Sequence, residues 1–505
     1  MSTLTEAALK PETVRIHPAD NVVVAVQALP AGHEVVVEGE RIALREEVPA
    51  GHKVAVRALE AGEAVVKYGF PIGVVTEAVP AGGWVHSHNL RTGLSGTLDY
   101  RYEPARRTGP VAASMPTFLG YRRPDGRVGT RNEVWIVNTV GCVNTAAERI
   151  ARAASERFAG RVDGVHAFSH PYGCSQLGDD LENTRKVLAG LIRHPNAGGV
   201  LVLGLGCENN QMAALLALAG EVDAARIRFF NTQDVVDEVE EGIDRVEDLV
   251  RAMEGDRRVE CPASDLVLGH KCGGSDGFSG ISANPLVGRI ADRLTALGGG
   301  VLLTEVPEMF GAEQVLMNRA ASEEVFGGVV AMVNDFKEYF LRHGQPVYEN
   351  PSPGNKAGGL TTLEEKSLGA IQKGGQATVS RVLRYGEPAA TGGLSLLEAP
   401  GNDGVSCTAM VASGATLLLF TTGRGTPLGF PVPTLKVSSN SAIAAKKPHW
   451  IDFNAGALLD GVATLDGLAD ELLALVLDVA SGRQLANNEK HGYREIAIWK
   501  EGVTL

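Results

Sequence analysis

Four of the six cysteines in this chain stand directly after apolar runs of strand type. Cys142 follows Val134-Trp135-Ile136-Val137-Asn138-Thr139-Val140-Gly141, and Cys174 ends residues 162–174 in Ser169-His170-Pro171-Tyr172-Gly173-Cys174. Cys207 follows Val200-Leu201-Val202-Leu203-Gly204-Leu205-Gly206, and Cys272 follows Asp265-Leu266-Val267-Leu268-Gly269-His270-Lys271. A single cysteine of this kind reads as readily as a small buried hydrophobe. Four in equivalent positions do not, because a core has no reason to select cysteine at strand ends. Thiolates favour soft or borderline metals, above all iron, iron–sulfur or zinc. No CxxC pair occurs, which argues against a structural zinc site.

Other residues carry chemistry of the same kind. His86 and His88 end a Val-rich segment; on a strand, residues i and i+2 share a face and would chelate one ion, whereas in a turn they would be ordinary surface imidazoles. Glu305 and Glu308 follow the run Gly300-Val301-Leu302-Leu303-Thr304 as candidate bases or ligands, with solvated carboxylates as the equal alternative. Lys271, beside Cys272, would become a proton-abstracting amine if burial depressed its pKa. Arg424, between two glycines, suits carboxylate recognition through its planar fork, and Arg131-Asn132 suit the same task. His17, His33, His52 and His194 carry no such signal.

Elements that could hold these groups follow from pattern. Between residues 118 and 345 strand-type runs alternate with Gly-rich loops and helical runs, which predicts βαβ units and a mostly parallel sheet. Open α/β sheets bind ligands outside the carboxyl ends of their strands. Four cysteine-bearing strands in one sheet would therefore turn their thiols into a single crevice. Residues 13–95 differ: short alternating runs are broken by Leu29-Pro30-Ala31-Gly32, Val48-Pro49-Ala50-Gly51, Leu59-Glu60-Ala61-Gly62 and Val79-Pro80-Ala81-Gly82. Turn chemistry between period-two strands predicts a small all-β domain. Residues 96–117 read as a linker, and a second break at 346–359 precedes an α/β domain over 360–505.

Composition excludes several classes. The net charge of −13 is spread without a basic stripe, so nucleic acid is not an expected partner. No apolar run approaches the ~20 residues needed to span a bilayer, and residues 1–12 lack the layout of a secretory signal. A cytoplasmic protein with reduced thiols is expected. Gly204-Leu205-Gly206 lacks the third glycine of a dinucleotide loop.

In chain order, Gly120-Tyr121-Arg122-Arg123-Pro124-Asp125-Gly126-Arg127-Val128-Gly129-Thr130-Arg131-Asn132, His170-Pro171-Tyr172-Gly173-Cys174, Gly204-Leu205-Gly206-Cys207-Glu208, Lys271-Cys272-Gly273-Gly274-Ser275-Asp276 and Gly423-Arg424-Gly425-Thr426-Pro427 resemble the altronate/galactarate dehydratase family of sugar-acid hydro-lyases. The likeness covers about residues 13–500. It implies an N-terminal SAF (β-clip) domain followed by two Rossmann-like, mostly parallel α/β domains. It also implies Fe2+ or Mn2+ as cofactor and conversion of a sugar acid, altronate by preference, to a 2-keto-3-deoxy acid plus water. Galactarate dehydratases and sulfolactate sulfo-lyases share these loops.

Within that frame the expected metal ligands are His86, His88, Cys174, Cys207 and Cys272, with an iron–sulfur cluster on three cysteines as the alternative. His170, Lys271 or Glu305 would abstract the proton, and Arg131, Asn132, Ser275, Asp276 and Arg424 would bind substrate. The protein is expected to act on a small sugar acid, without membrane or nucleic acid, as a homo-oligomer, a dimer. A metal-free thiol enzyme and a carbohydrate-binding protein are the rival readings.

Overall fold

The computed structural model describes residues 11–105 and 115–504; the start of the chain and part of the 96–117 linker lie outside the described residues. Residues 11–93 form the expected β-rich domain from three small antiparallel sheets. Its repeated tetrads are tight turns. His33 donates to the Pro30 carbonyl and His52 to the Pro49 carbonyl (both 3.2 Å), with Gly32 and Gly51 at φ 77° and 84°. A four-residue turn with positive φ at its third position is type II, which is why glycine stands there. The tetrads also meet across the domain, because Leu29 pairs with Val48 and Leu59 with Val79.

The rest holds two parallel sheets and a small antiparallel sheet of Thr117–Arg122, Val128–Gly129 and Val259–Pro262. In the first parallel sheet, β1 (Glu133–Asn138), β2 (Val165–Phe168), β3 (Ala197–Gly204) and β4 (Ile227–Asn231) lie in the order β2-β1-β3-β4. In the second, β5 (Val267–Cys272), β6 (Gly300–Leu303), β7 (Val379–Leu383), β8 (Gly393–Leu397), β9 (Leu417–Thr422), β10 (Thr434–Ser438) and β11 (Phe453–Asn454) lie in the order β7-β8-β6-β5-β9-β10-β11. Helices α1 (Asn144–Arg157), α2 (Gly178–Ile192), α3 (Met212–Ala219), α4 (Leu363–Ala370), α5 (Asp403–Ala412) and α6 (Asn487–His491) are those that bear on the sites below.

Two expectations are corrected. The cysteine-bearing strands do not share one sheet: those preceding Cys142, Cys174 and Cys207 belong to the first sheet and that of Cys272 to the second. Strands buried on both faces read alike whichever sheet they join. The second sheet also draws strands from both sides of 346–359. The divide between the sheets therefore falls between Asn231 and Val267, rather than within 346–359. One apolar core ties the sheets together, with Val187, Leu188 and Leu191 of α2 and Met410 and Val411 of α5 packed against Trp135, Phe168, Leu302 and Leu418.

The segment after the 346–359 break is the seat of the β-domain. Lys53 and Lys67 both reach Glu365 of α4 (2.9 and 2.7 Å), and all three side chains are almost wholly buried. Lys53 also donates to the Gly359 carbonyl at 2.9 Å. The backbones touch here: a Cβ at Gly359 would lie 2.2 Å from the Gly51 carbonyl oxygen. Burial alone would raise the pKa of Glu365, but the two ammoniums outweigh it and hold it well below the ordinary value of 4.5. Burial pushes Lys53 down to about 8, with the like charge of Lys67 adding to the shift.

A carboxylate whose folded pKa is depressed stabilises the fold above its unfolded value and loses that contribution on acidification. Docking by Glu365 should thus be complete above pH 4.5 and weaken below it. Glu365→Ala leaves two buried ammoniums without a counter-charge and is expected to cost ~3–5 kcal/mol. Thermal melting and limited proteolysis check this: the melting point should fall and residues 11–93 should be released sooner. Unchanged melting and cleavage would show that the docking does not rest on this triad.

Candidate active site at the carboxyl end of the central strand

β5 lies in the middle of the seven-stranded sheet, and its last residues are buried. Alternation along the strand sends Lys271 to one face and Cys272 to the other. The next strand, β6, ends beside it and delivers Glu305 and, one short turn later, Glu308. Glu305 has φ 67°, in the left-handed region that few residues other than glycine adopt. Such strain persists where the surroundings hold it and gathers at functional sites.

The side chains form one buried charge cluster. Lys271 Nζ donates to Glu305 Oε1 and, at 3.1 Å, to the Gly401 carbonyl, and pairs with Asp403 at 3.1 Å. Lys373 Nζ lies 2.8 Å from Cys272 Sγ and 2.9 Å from Glu305 Oε2. Lys366 holds Glu308 at 2.8 Å, and Cys272 Sγ lies 3.3 Å from the other Glu308 oxygen. Asp403, 34 % exposed, is the most accessible member and marks the side open to solvent.

Each pKa shift has a nameable cause. Burial would lower Lys271, but Glu305, Asp403 and Glu308 outweigh it and raise it well above 10.5. Lys271 is therefore an ammonium, which corrects the expectation that burial would make it a free amine base. Lys373 is likewise raised, against its burial, by Cys272, Glu305 and Glu308. Burial pushes the Cys272 thiol up to about 12, and Glu305 adds to this. Glu308, which burial would raise, is held low by Lys366, Lys271 and Lys373. Fixed ammoniums in a dry crevice stabilise negative charge that develops on a bound molecule.

Among the described residues, Cys272, Glu305 and Glu308 form the group whose donor atoms, all within 4.8 Å of one another, could share a metal ion. One sulfur and two carboxylate oxygens suit ferrous iron better than magnesium or calcium, so the donor set is compatible with a metal. Each donor already faces an ammonium, so a cation would replace contacts from Lys271, Lys366 and Lys373. Ligation would also take the proton from Cys272.

The remaining expected residues are dispersed. His86 and His88 do not share a strand face, because the strand ends at Val85 and residues 86–89 turn back. His86 stacks on Trp84 with ring centres 5.3 Å apart, and His88 is exposed on the same indole at 5.1 Å. Cys174 and Cys207 are exposed on the first sheet. His170 is buried with both ring nitrogens engaged, Nε2 by the Asn138 carbonyl and Nδ1 by the Tyr172 amide. It pins the Cys174 loop and has no nitrogen left for a substrate proton.

Arg131 and Asn132 precede β1, at the amino edge of the first sheet. The Arg131 fork is fully used, with Glu489 of α6 at 2.7 and 2.8 Å and the Val479 carbonyl at 2.9 Å. Asn132 accepts from Arg123 at 2.9 Å. Ser275 and Asp276 leave β5 toward the β9 and β10 loops, where Asp276 accepts from Ser279, Ser439 and Asn440. Arg424 is exposed against Gly274, with neither ion pair nor side-chain hydrogen bond among the described residues. It remains available for an anionic ligand.

Sequence reasoning passed over Lys366, Lys373 and Asp403, which carry no local signal, and His52. The last lies 4.7 Å ring to ring from His86 and accepts from Trp84 Nε1 at 3.2 Å. Burial, aided by Lys53 and His52, pushes His86 down to about 4, and its Nδ1 has no partner. A cavity of about 400 Å³ lined by Arg123, Arg127, Arg193 and Asp256 lies at the amino ends of β3 and β4, on the far side of the first sheet's strands from their cysteines.

Buried ammoniums and carboxylates at the carboxyl end of a parallel sheet can stabilise an anion that develops on a bound molecule. Comparison with known proteins makes the class specific. Residues 11–93 match the altronate/galactarate dehydratase SAF domain, 120–254 the second domain of D-galactarate dehydratase/altronate hydrolase, and 263–504 the C-terminal domain of D-galactarate/altronate dehydratase. Over 498 residues the chain is 51% identical to the altronate dehydratase of Escherichia coli, covering 97% of this chain and 99% of that one. It is 50% identical over 495 residues to that of Bacillus subtilis, with the same coverage. It is also 33% identical over 513 residues to the galactarate dehydratase (L-threo-forming) of Escherichia coli, with 96% of each chain covered.

The chain belongs to the altronate/galactarate dehydratase family and is a hydro-lyase.

The two arginines should behave oppositely. Arg131→Lys is expected to lower the melting point through loss of the two-pronged Glu489 contact while leaving KM for substrate unchanged. Arg424→Ala should raise KM at least tenfold with the melting point unchanged. A raised KM for Arg131→Lys would return that residue to the binding site.

Proposed function

We propose that this protein dehydrates D-altronate to its 2-keto-3-deoxy acid and water, with ferrous or manganous ion at Cys272, Glu305 and Glu308. The observation that carries this reading is 50–51% identity to two altronate dehydratases across 97% of the chain, against 33% to a galactarate dehydratase. The protein is read as a cytoplasmic homodimer, its two parallel sheets as Rossmann-like halves. Among the described residues no helix is long and apolar enough to cross a membrane.

The proton on the carbon beside a carboxylate is weakly acidic, and its removal needs cations around the developing enediolate. Lys271 and Lys373, held as ammoniums by their neighbours, supply that charge. Glu305, between them and held in an unusual backbone conformation, accepts the proton on one carboxylate oxygen and would keep the other for the ion. The electron pair forms a carbon–carbon double bond as the adjacent hydroxyl leaves. Lys271 donates a proton to this departing hydroxyl, since hydroxide, whose conjugate acid has a pKa of ~15.7, takes one readily even from a raised ammonium. The resulting enol becomes the ketone without any redox change. A bound divalent ion would supply Lewis acidity toward the substrate oxygens. Arg424 orients the carboxylate.

Purified protein reduced and supplied with ferrous iron should form keto acid from altronate, and galactarate, glucarate and sulfolactate should react far more slowly. No keto acid from altronate, or faster turnover of another acid, would overturn the substrate assignment. Lys271→Met and Glu305→Gln are each expected to lower kcat at least ~100-fold, the scale for losing one group that stabilises a developing anion. Either variant turning over at the wild-type rate would remove that residue from the mechanism.

A further inference from the structure

The first sheet carries a second set of thiols that the reaction above does not use. Three of its four strands lie in the order β2-β1-β3, and each is followed at its carboxyl end by one cysteine: Cys174 after β2, Cys142 after β1 and Cys207 after β3. All three are free and exposed, whereas Cys261, Cys272 and Cys407 are buried. Neighbouring parallel strands stand ~4.8 Å apart, so three successive strand ends deliver their loops side by side.

These loops are tied to one another. Gly141 N donates to the Tyr172 carbonyl at 2.8 Å, Asn210 N to the Gly173 carbonyl at 2.9 Å, and Ser175 N to Asn209 Oδ1 at 2.8 Å. Gly173 has φ 100°, and a Cβ there would lie 2.1 Å from the Thr139 carbonyl oxygen, so the Cys174 loop is pressed against the segment leading to Cys142. His170 fastens the same loop to Asn138 at 2.9 Å. Glu208, next to Cys207, accepts from the Leu205 and Gly206 amides and from Thr139, so its carboxylate holds the third loop.

Two further features favour a thiolate-held metal centre. Each cysteine precedes the N-terminus of a helix, α1, α2 or α3, where the unpaired amides favour negative charge. Polar donors reach two of the sulfurs, Gln233 Nε2 at 3.6 Å from Cys207 Sγ and Ser175 Oγ at 3.8 Å from Cys174 Sγ. Such contacts tune metal-bound sulfur. The three sulfurs are not among the donors lying within 4.8 Å of one another. A single ion ligated at ~2.3 Å draws its sulfurs closer than that, whereas a cluster places its irons, and hence its thiolates, farther apart.

We propose that Cys142, Cys174 and Cys207 together hold an iron–sulfur cluster at the carboxyl edge of the first sheet, a centre separate from the Cys272 group.

The test is anaerobic reconstitution of the full-length protein with ferrous iron and sulfide, followed by gel filtration and assay of bound iron and acid-labile sulfide. The wild type should retain both and show the visible absorption of an iron–sulfur chromophore. Cys142→Ser, Cys174→Ser and Cys207→Ser should each lose most of the labile sulfide with melting points unchanged, and Cys272→Ser should keep it. Wild type without labile sulfide overturns the proposal, whether it carries iron alone, zinc alone or a disulfide among these cysteines. So does a Cys142/Cys174/Cys207 triple serine variant that keeps the wild-type content.

Discussion

A buried charge must be paired, and that constraint organises the molecule at two places. At the proposed active site, Lys271, Lys366 and Lys373 are buried with Glu305, Glu308 and the Cys272 thiol. Removing any partner leaves a charge in low dielectric, so each member fixes the others. At the domain seam, Glu365 does the same for Lys53 and Lys67. The two clusters are joined by one helix, since Lys366, which holds Glu308, follows Glu365 in α4. Docking of the β-domain and the placement of Glu308 thus depend on the same turn of helix.

This coupling explains why α4, short and rich in charge, is buried from Leu363 to Ala370. Read alone, Thr362-Leu363-Glu364-Glu365-Lys366 looks like a capped surface helix, because charged residues are seldom buried unless paired. Each charge here has a partner from a different element: Thr92 and Gly93 for Glu364, Lys53 and Lys67 for Glu365, and Glu308 for Lys366. The 346–359 break before it is part of the seat for the first domain rather than a divide in the second sheet.

What the sequence made legible was local. The Pro-Ala-Gly tetrads encode their turns within four residues, and the strand-loop-helix rhythm encodes parallel sheets, so the β-domain and both sheets could be read in advance. That Cys272, Lys271 and Glu305 all follow buried strands was legible too, and the structure brings the three side chains together. Sheet membership was not, since it depends on packing between distant segments. Nor was the fate of Arg131, whose partner Glu489 lies 358 residues away, or the participation of Lys373, which comes from a short turn with no motif of its own. The charge on Lys271 turned on Glu305, Asp403 and Glu308, and burial by itself pointed the other way.

The proposed reaction occurs where Cys272, Glu305 and Glu308 converge among the three lysines. The most direct measurement is anomalous diffraction at the iron edge on crystals of iron-loaded, active enzyme soaked with a slow sugar-acid analogue. The account predicts an iron peak within bonding distance of all three donors, with the analogue's carboxylate facing Lys271 and Arg424. An analogue bound elsewhere, with no metal density at these three residues, would contradict it.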